Sequence, residues 1–310
     1  MLTHIQGLHH VTSMAADARQ NNAFFTQILG LRRVKKTVNF DEPSVYHLYY
    51  GDGQGTPGSV MTCFPFPNIA RGRPGVGEVS QTVFAVPEGA LGYWKDRLAS
   101  HDVAGLEDST RFGDKRLHFT GPDGEGLGLI EVAGDARAPF ADGPVPAAEG
   151  IHGFHSVTLR LRDTVATAEV LRFLGYREVA RKGAVTRFAI AGGNGADVVD
   201  LEVRHGAETA RLGAGSVHHV AFAVTDHTAQ LKAREALMDA GYQITPVIDR
   251  DYFSAIYFRT PGGVLFEVAT NDPGFARDED SAHLGEALKI PAQHAHLRDR
   301  IEAILPPLTD

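Results

Sequence analysis

Cysteine is nearly absent. Among 310 residues only Cys63 occurs, so neither an intramolecular disulfide nor a cysteine-based zinc site is possible. Long apolar runs are missing too: no segment approaches the roughly 20 consecutive apolar residues that a membrane-spanning helix requires. The opening Met1-Leu2-Thr3-His4-Ile5-Gln6 shows no basic stretch leading into an apolar one. Neither a membrane partner nor a secretory signal is therefore expected, and the reducing cytoplasm is the expected compartment. Positive charge is also scarce. Lys and Arg number 30 against 38 Asp and Glu, and the formal net charge of −8 argues against nucleic acid as a partner, because phosphate backbones demand basic patches. What is present, 43% hydrophobic and 22% charged residues, suits a soluble globular protein long enough for two domains, each with its own core.

Self-similarity is the strongest organising signal. The run Gly215-Ser216-Val217-His218-His219-Val220-Ala221-Phe222-Ala223-Val224 has counterparts at Gly7–Met14, Val79–Val86 and Gly153–Leu159. Each is followed by a stretch with apolar residues at helical spacing. In the last unit it runs from Thr228 to Ala240, with Leu231, Ala233, Ala236 and Leu237 on one stripe, and stops at Gly241. The corresponding helices of the first and third units end at Gly30-Leu31 and Gly175-Tyr176. Short strand-like runs follow, punctuated by Pro57-Gly58, Gly121-Pro122-Asp123-Gly124, Gly192-Gly193-Asn194-Gly195 and Pro261-Gly262-Gly263. The unit is β-α-β-β-β, about 55–65 residues long, and occurs four times.

An α+β protein follows, with four βαβββ modules forming two half-closed, barrel-like domains plus a C-terminal helix. The expected spans are 1–134 for an N-terminal pair of modules, 150–275 for a C-terminal pair, and 276–310 for a helical tail. The Pro-, Ala- and Gly-rich stretch Gly134–Gly150 is the expected linker. In the tail, the acidic patch Asp278-Glu279-Asp280 leads into an amphipathic helix with Leu297, Ile301, Ile304 and Leu305 on one stripe.

The chemistry concentrates in two doubled histidines, His9-His10 and His218-His219, and in Glu267 within the apolar run Val264-Leu265-Phe266-Glu267-Val268. Two imidazoles and one carboxylate on rigid strands are the parts of a facial-triad metal site with open positions. Laying the repeats over one another places His10, Gln81 or Thr82, Ser156 and His219 at one position, and Cys63, Glu131, Glu202 and Glu267 at the other. Only units one and four bring imidazole, so the inventory favours pairing unit one with unit four, which lets His10, His219 and Glu267 converge. Successive strand residues face opposite ways. His10 and His219 should therefore face the metal, with Thr12 returning to that side, while His9 and His218 lie behind the ligands or on the opposite face. Glu131 and Glu202 are expected to be solvated or ion-paired, His155 structural, and Cys63 a small buried hydrophobe.

Four such units, with His opening first strands and Glu in a last strand, resemble the vicinal oxygen chelate (glyoxalase/extradiol dioxygenase) superfamily. Within it the likeness is to the hydroquinone ring-cleaving dioxygenases. It is carried by Gly7-Leu8-His9-His10-Val11-Thr12, Val217-His218-His219-Val220-Ala221-Phe222, and Asp249-Arg250-Asp251-Tyr252-Phe253 running on to Phe266-Glu267, and covers roughly residues 5 to 275. The resemblance implies Fe(II) held by His10, His219 and Glu267, and ring opening of a 1,4-dihydroxybenzene by O₂, a small aromatic substrate bound beside the ion. It also implies that His9, Thr12, His218, Arg250 and Tyr257 surround the ligands. His9, His218 and Tyr257 are candidates on type for moving the substrate's hydroxyl proton, and Arg250 for stabilising an anionic oxygen. An extradiol catechol dioxygenase would use the same triad. A glyoxalase-type isomerase would need a second carboxylate where Cys63 stands, and a metal-free resistance protein that sequesters an aromatic compound would have little use for doubled histidines. Open sheet edges and the extra helix make a homo-oligomer the expected assembly.

Overall fold

Each repeat folds as a βαβββ module. Module one comprises β1 (Ile5–Ala15), α1 (Ala18–Ala23), β2 (Arg32–Val38), β3 (Tyr46–Gly51) and β4 (Val60–Pro65), with a π-helical turn at Phe24–Ile28 prolonging α1 towards Gly30. Module two comprises β5 (Glu78–Val86), α2 (Leu91–Ser100), β6 (Glu107–Arg111), β7 (Asp114–Thr120) and β8 (Gly126–Glu131). Module three comprises β9 (Gly153–Leu161), α3 (Val165–Phe173), β10 (Arg177–Lys182), β11 (Val185–Ala189) and β12 (Val198–Val203). Module four comprises β13 (Val217–Val224), α4 (His227–Asp239), β14 (Ile248–Asp249), β15 (Phe253–Arg259) and β16 (Leu265–Pro273), and the tail carries α5 (Arg298–Ile304). The computed structural model describes residue 2 and residues 4–308. Met1, Thr3, Thr309 and Asp310, at the ends of the expected 1–134 and 276–310 spans, lie outside the described residues.

The sixteen strands form two eight-stranded sheets, each a half-barrel. Sheet one runs β14-β15-β16-β13-β1-β4-β3-β2, and sheet two runs β10-β11-β12-β9-β5-β8-β7-β6. Sheet one is thus modules one and four, and sheet two is modules two and three. The spans 1–134 and 150–275 are neighbours in sequence that the fold divides between sheets. Nor is Gly134–Gly150 the connection between the two sheets, since it joins β8 to β9 within sheet two. It packs down instead: Val145 lies so close to Gly30 that a β-carbon there would sit 2.5 Å from its Cγ2, and Arg137 donates to the Phe154 carbonyl at 2.8 Å. The true crossings are residues 66–77 and 204–216, which pair with each other through bridges at Arg71–Ala214, Arg73–Arg211 and Val76–Thr209.

The central strands meet antiparallel, Val11 opposite Val220 in sheet one and Thr82 opposite Val157 in sheet two. The helix-side face is mostly apolar. Leu8, Val11, Val220, Phe222, Phe266 and Val268 join Ala233 and Leu237 of α4 in a core cluster that continues into sheet two through Phe84, Phe154 and Leu159. Helix α4 starts where Asp226 accepts from the Ala229 amide at 2.9 Å, and stops before Gly241 at φ +88, a backbone that glycine adopts without cost. A smaller aromatic cluster with Tyr49, Tyr252, Phe253 and Phe275 lines the other side of sheet one.

The tail differs from the stripe expected of it. Ile301 and Leu305 are buried, but Ile304 is 50% exposed, because α5 has only seven residues and turns one side inward. Two residues of the acidic patch hold the tail in place. Asp278 and Glu279 both clasp the buried ammonium of Lys35, which stands 4.7 Å from the ring centre of Tyr252. A buried ammonium without such partners would be costly, so the tail is fixed to the strand bearing Lys35.

Candidate metal centre

His10 on β1, His219 on β13 and Glu267 on β16 converge on the concave side of sheet one. The register brings them there: Thr12 lies opposite His219, His10 opposite Ala221, and Ala221 beside Glu267. All three are buried. Glu267 Oε2 lies 2.9 Å from His219 Nε2 and 3.2 Å from His10 Nε2, and the two Nε2 atoms lie 3.3 Å apart. Two ligand atoms held about 2.1 Å from one ion at right angles stand about 3.0 Å apart, so this triangle fits one face of an octahedral ion. Both Glu267 oxygens are buried without a well-formed hydrogen bond, a state that a bound cation would relieve.

The outer imidazoles fix how the inner ones present their lone pairs. His9 Nε2 lies 3.1 Å from the Thr270 carbonyl and must donate to it, so its Nδ1 accepts, 2.9 Å from His10 Nδ1. His10 therefore carries its proton on Nδ1 and turns a bare Nε2 to the centre. On the other side, the Nδ1 atoms of His218 and His219 are 2.7 Å apart, and the same assignment leaves His219 Nε2 bare. Of the two places open to the outer histidines, behind the ligands or across the sheet, the structure shows the first.

Burial favours the neutral form of His9, His218 and His219, the form of imidazole that binds metal. Burial first, then the neighbouring His10, lowers His9 to about 3; burial first, then His219, lowers His218 to about 4. Burial also outweighs the attraction of Glu267 and lowers His219. For Glu267 the balance reverses. Burial alone would raise it, but His10 and His219 together hold its carboxyl well below the usual range.

Thr12, Arg250 and Tyr257 also lie at the centre. Thr12 Oγ1 is 2.9 Å from His219 Nε2. Tyr257 is paired across β15 and β16 with Glu267, its ring edge-on to His219 at 5.7 Å, and burial first, then Glu267, pushes its phenol far up. The Arg250 guanidinium lies over the rings of Phe40 and Tyr257 and pairs with Asp41 at 3.2 Å; the nearby Tyr257 and Asp41 outweigh its burial and keep it charged. Arg250, Tyr257, His218, His10 and His219 border a cavity of about 290 Å³, which Phe40, Phe64, Phe66 and Phe253 make aromatic.

Sequence reasoning missed a chain of groups behind Thr12. The Tyr49 hydroxyl lies 2.8 Å from His47 Nδ1, His47 Nε2 lies 2.8 Å from Thr62 Oγ1, and Thr62 Oγ1 donates to Thr12 Oγ1 at 3.0 Å. One consistent assignment has every member donating to the next, from Tyr49 to His219. The available signal was the alternation His47-x-Tyr49, which puts both on one face of β3. The register also corrects the carboxylate position of module one. Thr12 pairs with Thr62 as Ala221 pairs with Glu267, so Thr62 occupies that place, whereas Cys63 faces the apolar core. The two-carboxylate requirement of a glyoxalase-type isomerase thus fails at Thr62 rather than at Cys63.

The family model for the Glyoxalase/Bleomycin resistance protein/Dioxygenase superfamily matches residues 7–129 and 177–268. A protein of Bacillus subtilis (strain 168) named "Putative ring-cleaving dioxygenase MhqE" is 40% identical over 304 residues, 98% of this chain and 99% of its own. The chlorohydroquinone/hydroquinone 1,2-dioxygenase of Sphingobium indicum is 35% identical over 305 residues, 96% of this chain and 95% of its own. A crystal structure described as a "putative dioxygenase" from Bacillus subtilis superimposes with a TM-score of 0.94 at 37% identity, covering 99% of this chain and 98% of that one. Glyoxalase I of Zea mays, at 16% identity and a TM-score of 0.63 over 86% of this chain and 92% of its own, shares the fold alone. Matched across both sheets and almost end to end, this chain belongs to the Glyoxalase/Bleomycin resistance protein/Dioxygenase superfamily.

Proposed function

We propose that this protein is an Fe(II)-dependent ring-cleaving dioxygenase that opens a hydroquinone, with or without ring substituents, using O₂. The observation that carries this reading is the triangle of His10, His219 and Glu267, two imidazole nitrogens and a buried carboxylate within 3.3 Å of one another, the carboxylate without a well-formed hydrogen bond. Such a set, with one face left open, suits ferrous iron that must meet both a substrate and O₂. The hydroquinone substrate is carried over from the similarity to the Sphingobium enzyme. When bound, Fe(II) supplies the one-electron chemistry that O₂ needs to react with a closed-shell phenolate.

The chain's own residues do the rest. The aromatic walls from Phe40, Phe64 and Phe66 hold a flat ring and exclude water. Charged Arg250 faces the same cavity and favours the anionic oxygen left when a substrate hydroxyl loses its proton. Tyr257 stays protonated and donates a hydrogen bond there. Thr12 donates to His219 Nε2, and Thr62, His47 and Tyr49 behind it form a chain along which a proton could pass, with His47 bordering the cavity.

The test is O₂ uptake by anaerobically Fe(II)-loaded protein, offered hydroquinones and catechols in parallel. Uptake with a hydroquinone that outpaces catechol and stops on iron removal is the expected result. Uptake with catechol alone keeps the metal site and moves the activity to extradiol cleavage. Iron retained with no uptake from either overturns the proposal.

A further inference from the structure

Sheet two repeats the metal-bearing architecture with different side chains, and the pairing fixes the correspondence residue by residue. Val83 lies opposite Ser156 as Thr12 lies opposite His219, so Ser156 takes the place of His219. Gln81 opposite Thr158 takes the place of His10 opposite Ala221, and Asp200 beside Thr158 takes that of Glu267. Arg187, across from Asp200, stands where Tyr257 does, and Arg116, two residues before His118 on β7, stands where His47 does.

Here the buried carboxylate is met by guanidinium groups. Asp200 receives Arg187 at 2.9 Å and Arg111 at 3.1 Å, while Arg116 approaches only to 3.6 Å. Arg116 is 1% exposed, and none of its three side-chain nitrogens has a hydrogen-bond partner. Ser156 Oγ and His155 Nδ1 nearby are orphaned as well. Burial pulls Arg116 down to about 10, which leaves it charged at neutral pH. A fully buried arginine with every donor unmet is costly.

A cavity of about 560 Å³ adjoins this group through Arg111, which both lines it and pairs with Asp200, and through His118, which shares a face of β7 with Arg116. Arg111, Arg160, Lys182 and Arg204 line it, against Glu107 and Glu202. Four cations thus meet two carboxylates along its lining, so this pocket is positive within a chain of net charge −8. Neutral donors are present too: Thr158 accepts from Arg111 at 3.1 Å, and His118 is held between Gln81 and Ser109.

We propose that the concave face of sheet two is an anion site, where a small oxyanion of carboxylate or phosphate type binds over Arg111 and Thr158 and answers the surplus charge of Arg116 beneath them. It is separate from the metal centre, and its test involves no turnover. Calorimetric titration of the full-length protein with inorganic phosphate and, separately, with malonate, at ionic strength held constant with chloride, should give saturable binding of at least one. Phosphate alone, malonate alone or both would each support the site and name its class. Arg111→Gln should weaken binding by about tenfold, the worth of one charge-assisted hydrogen bond. Arg204→Gln, at an exposed rim position, gives the same test with less risk to folding, and Arg172→Gln, on α3 outside the cavity, should change nothing. Absence of saturable binding for both anions, or unchanged affinity in both Arg111→Gln and Arg204→Gln, would overturn the proposal.

Discussion

Sheet one and sheet two share strand order and register, yet one gathers His10, His219 and Glu267 and the other gathers Gln81, Ser156 and Asp200 under three arginines. Both bury a carboxylate at the same place on the strand after the last turn. A buried carboxylate needs a positive partner. Sheet two supplies one from its own arginines and so needs no metal. Sheet one offers imidazoles and hydroxyls instead, a set that on our reading would take its positive charge from a bound cation. The scaffold fixes where the groups stand, and the side chains decide whether that place becomes a metal centre or an ion cluster.

The sharpest way to break this contrast is to remove the two carboxylates in turn. Glu267→Ala should lose its metal on gel filtration and lower turnover to the uncatalysed background, as should His219→Ala, with the fold retained by circular dichroism. Retained metal and activity in either would sink the ligand assignment. Asp200→Ala should keep metal and turnover, but strand Arg116 and Arg187 without their partner, lowering unfolding stability by about 3–5 kcal/mol in urea titrations. The outer imidazoles come next. His9→Ala should keep the triad but leave His10 Nδ1 without its acceptor, weakening metal affinity by about 10- to 100-fold in chelator competition.

The smallest expected effect concerns pH. Burial first, then Arg116 and Arg187, lowers His155 in sheet two to about 4 from 6.5. Because the folded value is depressed, the unfolded chain binds the proton more readily between pH 6.5 and 4. This residue's contribution is therefore fully present above 6.5 and is lost as pH falls through that window. From pH 8 to pH 5 the loss should be about 2 kcal/mol, and His155→Gln should flatten that part of the stability profile. An unchanged profile in the variant would show that His155 is solvated rather than buried.

Much of sheet one was legible in the residues. Doubled histidines occur only in the first and last units, so the ligand inventory itself pointed to their pairing, and strand parity singled out His10, His219 and Glu267. Sheet two was much less so. The run Val198-Val199-Asp200-Leu201-Glu202 carries two carboxylates of equal parity, and only the pairing with β9 selects Asp200 over Glu202. In the same way, overlaying repeats put Cys63 where the register puts Thr62, and Glu131 where it puts Gly128, because turn lengths before the last strand cannot be aligned without the sheet. The relay from Tyr49 to Thr12 joins residues of three strands and has no local signature. Composition misled at Gly134–Gly150, where small residues and prolines serve close packing rather than a loose tether.

The pairing of β1 with β13 also sets the order in which this protein can be completed during synthesis. His10 and His219 are 209 positions apart, whereas modules two and three are consecutive and can close on each other as soon as both have emerged. Until β13 of module four follows, β1 waits with its inner edge unpaired, the condition under which nascent chains stick to one another. The last ligand, Glu267, comes from the final strand of the final module. A ribosome that stops short of it releases a chain that holds both histidines of the triangle and lacks its carboxylate.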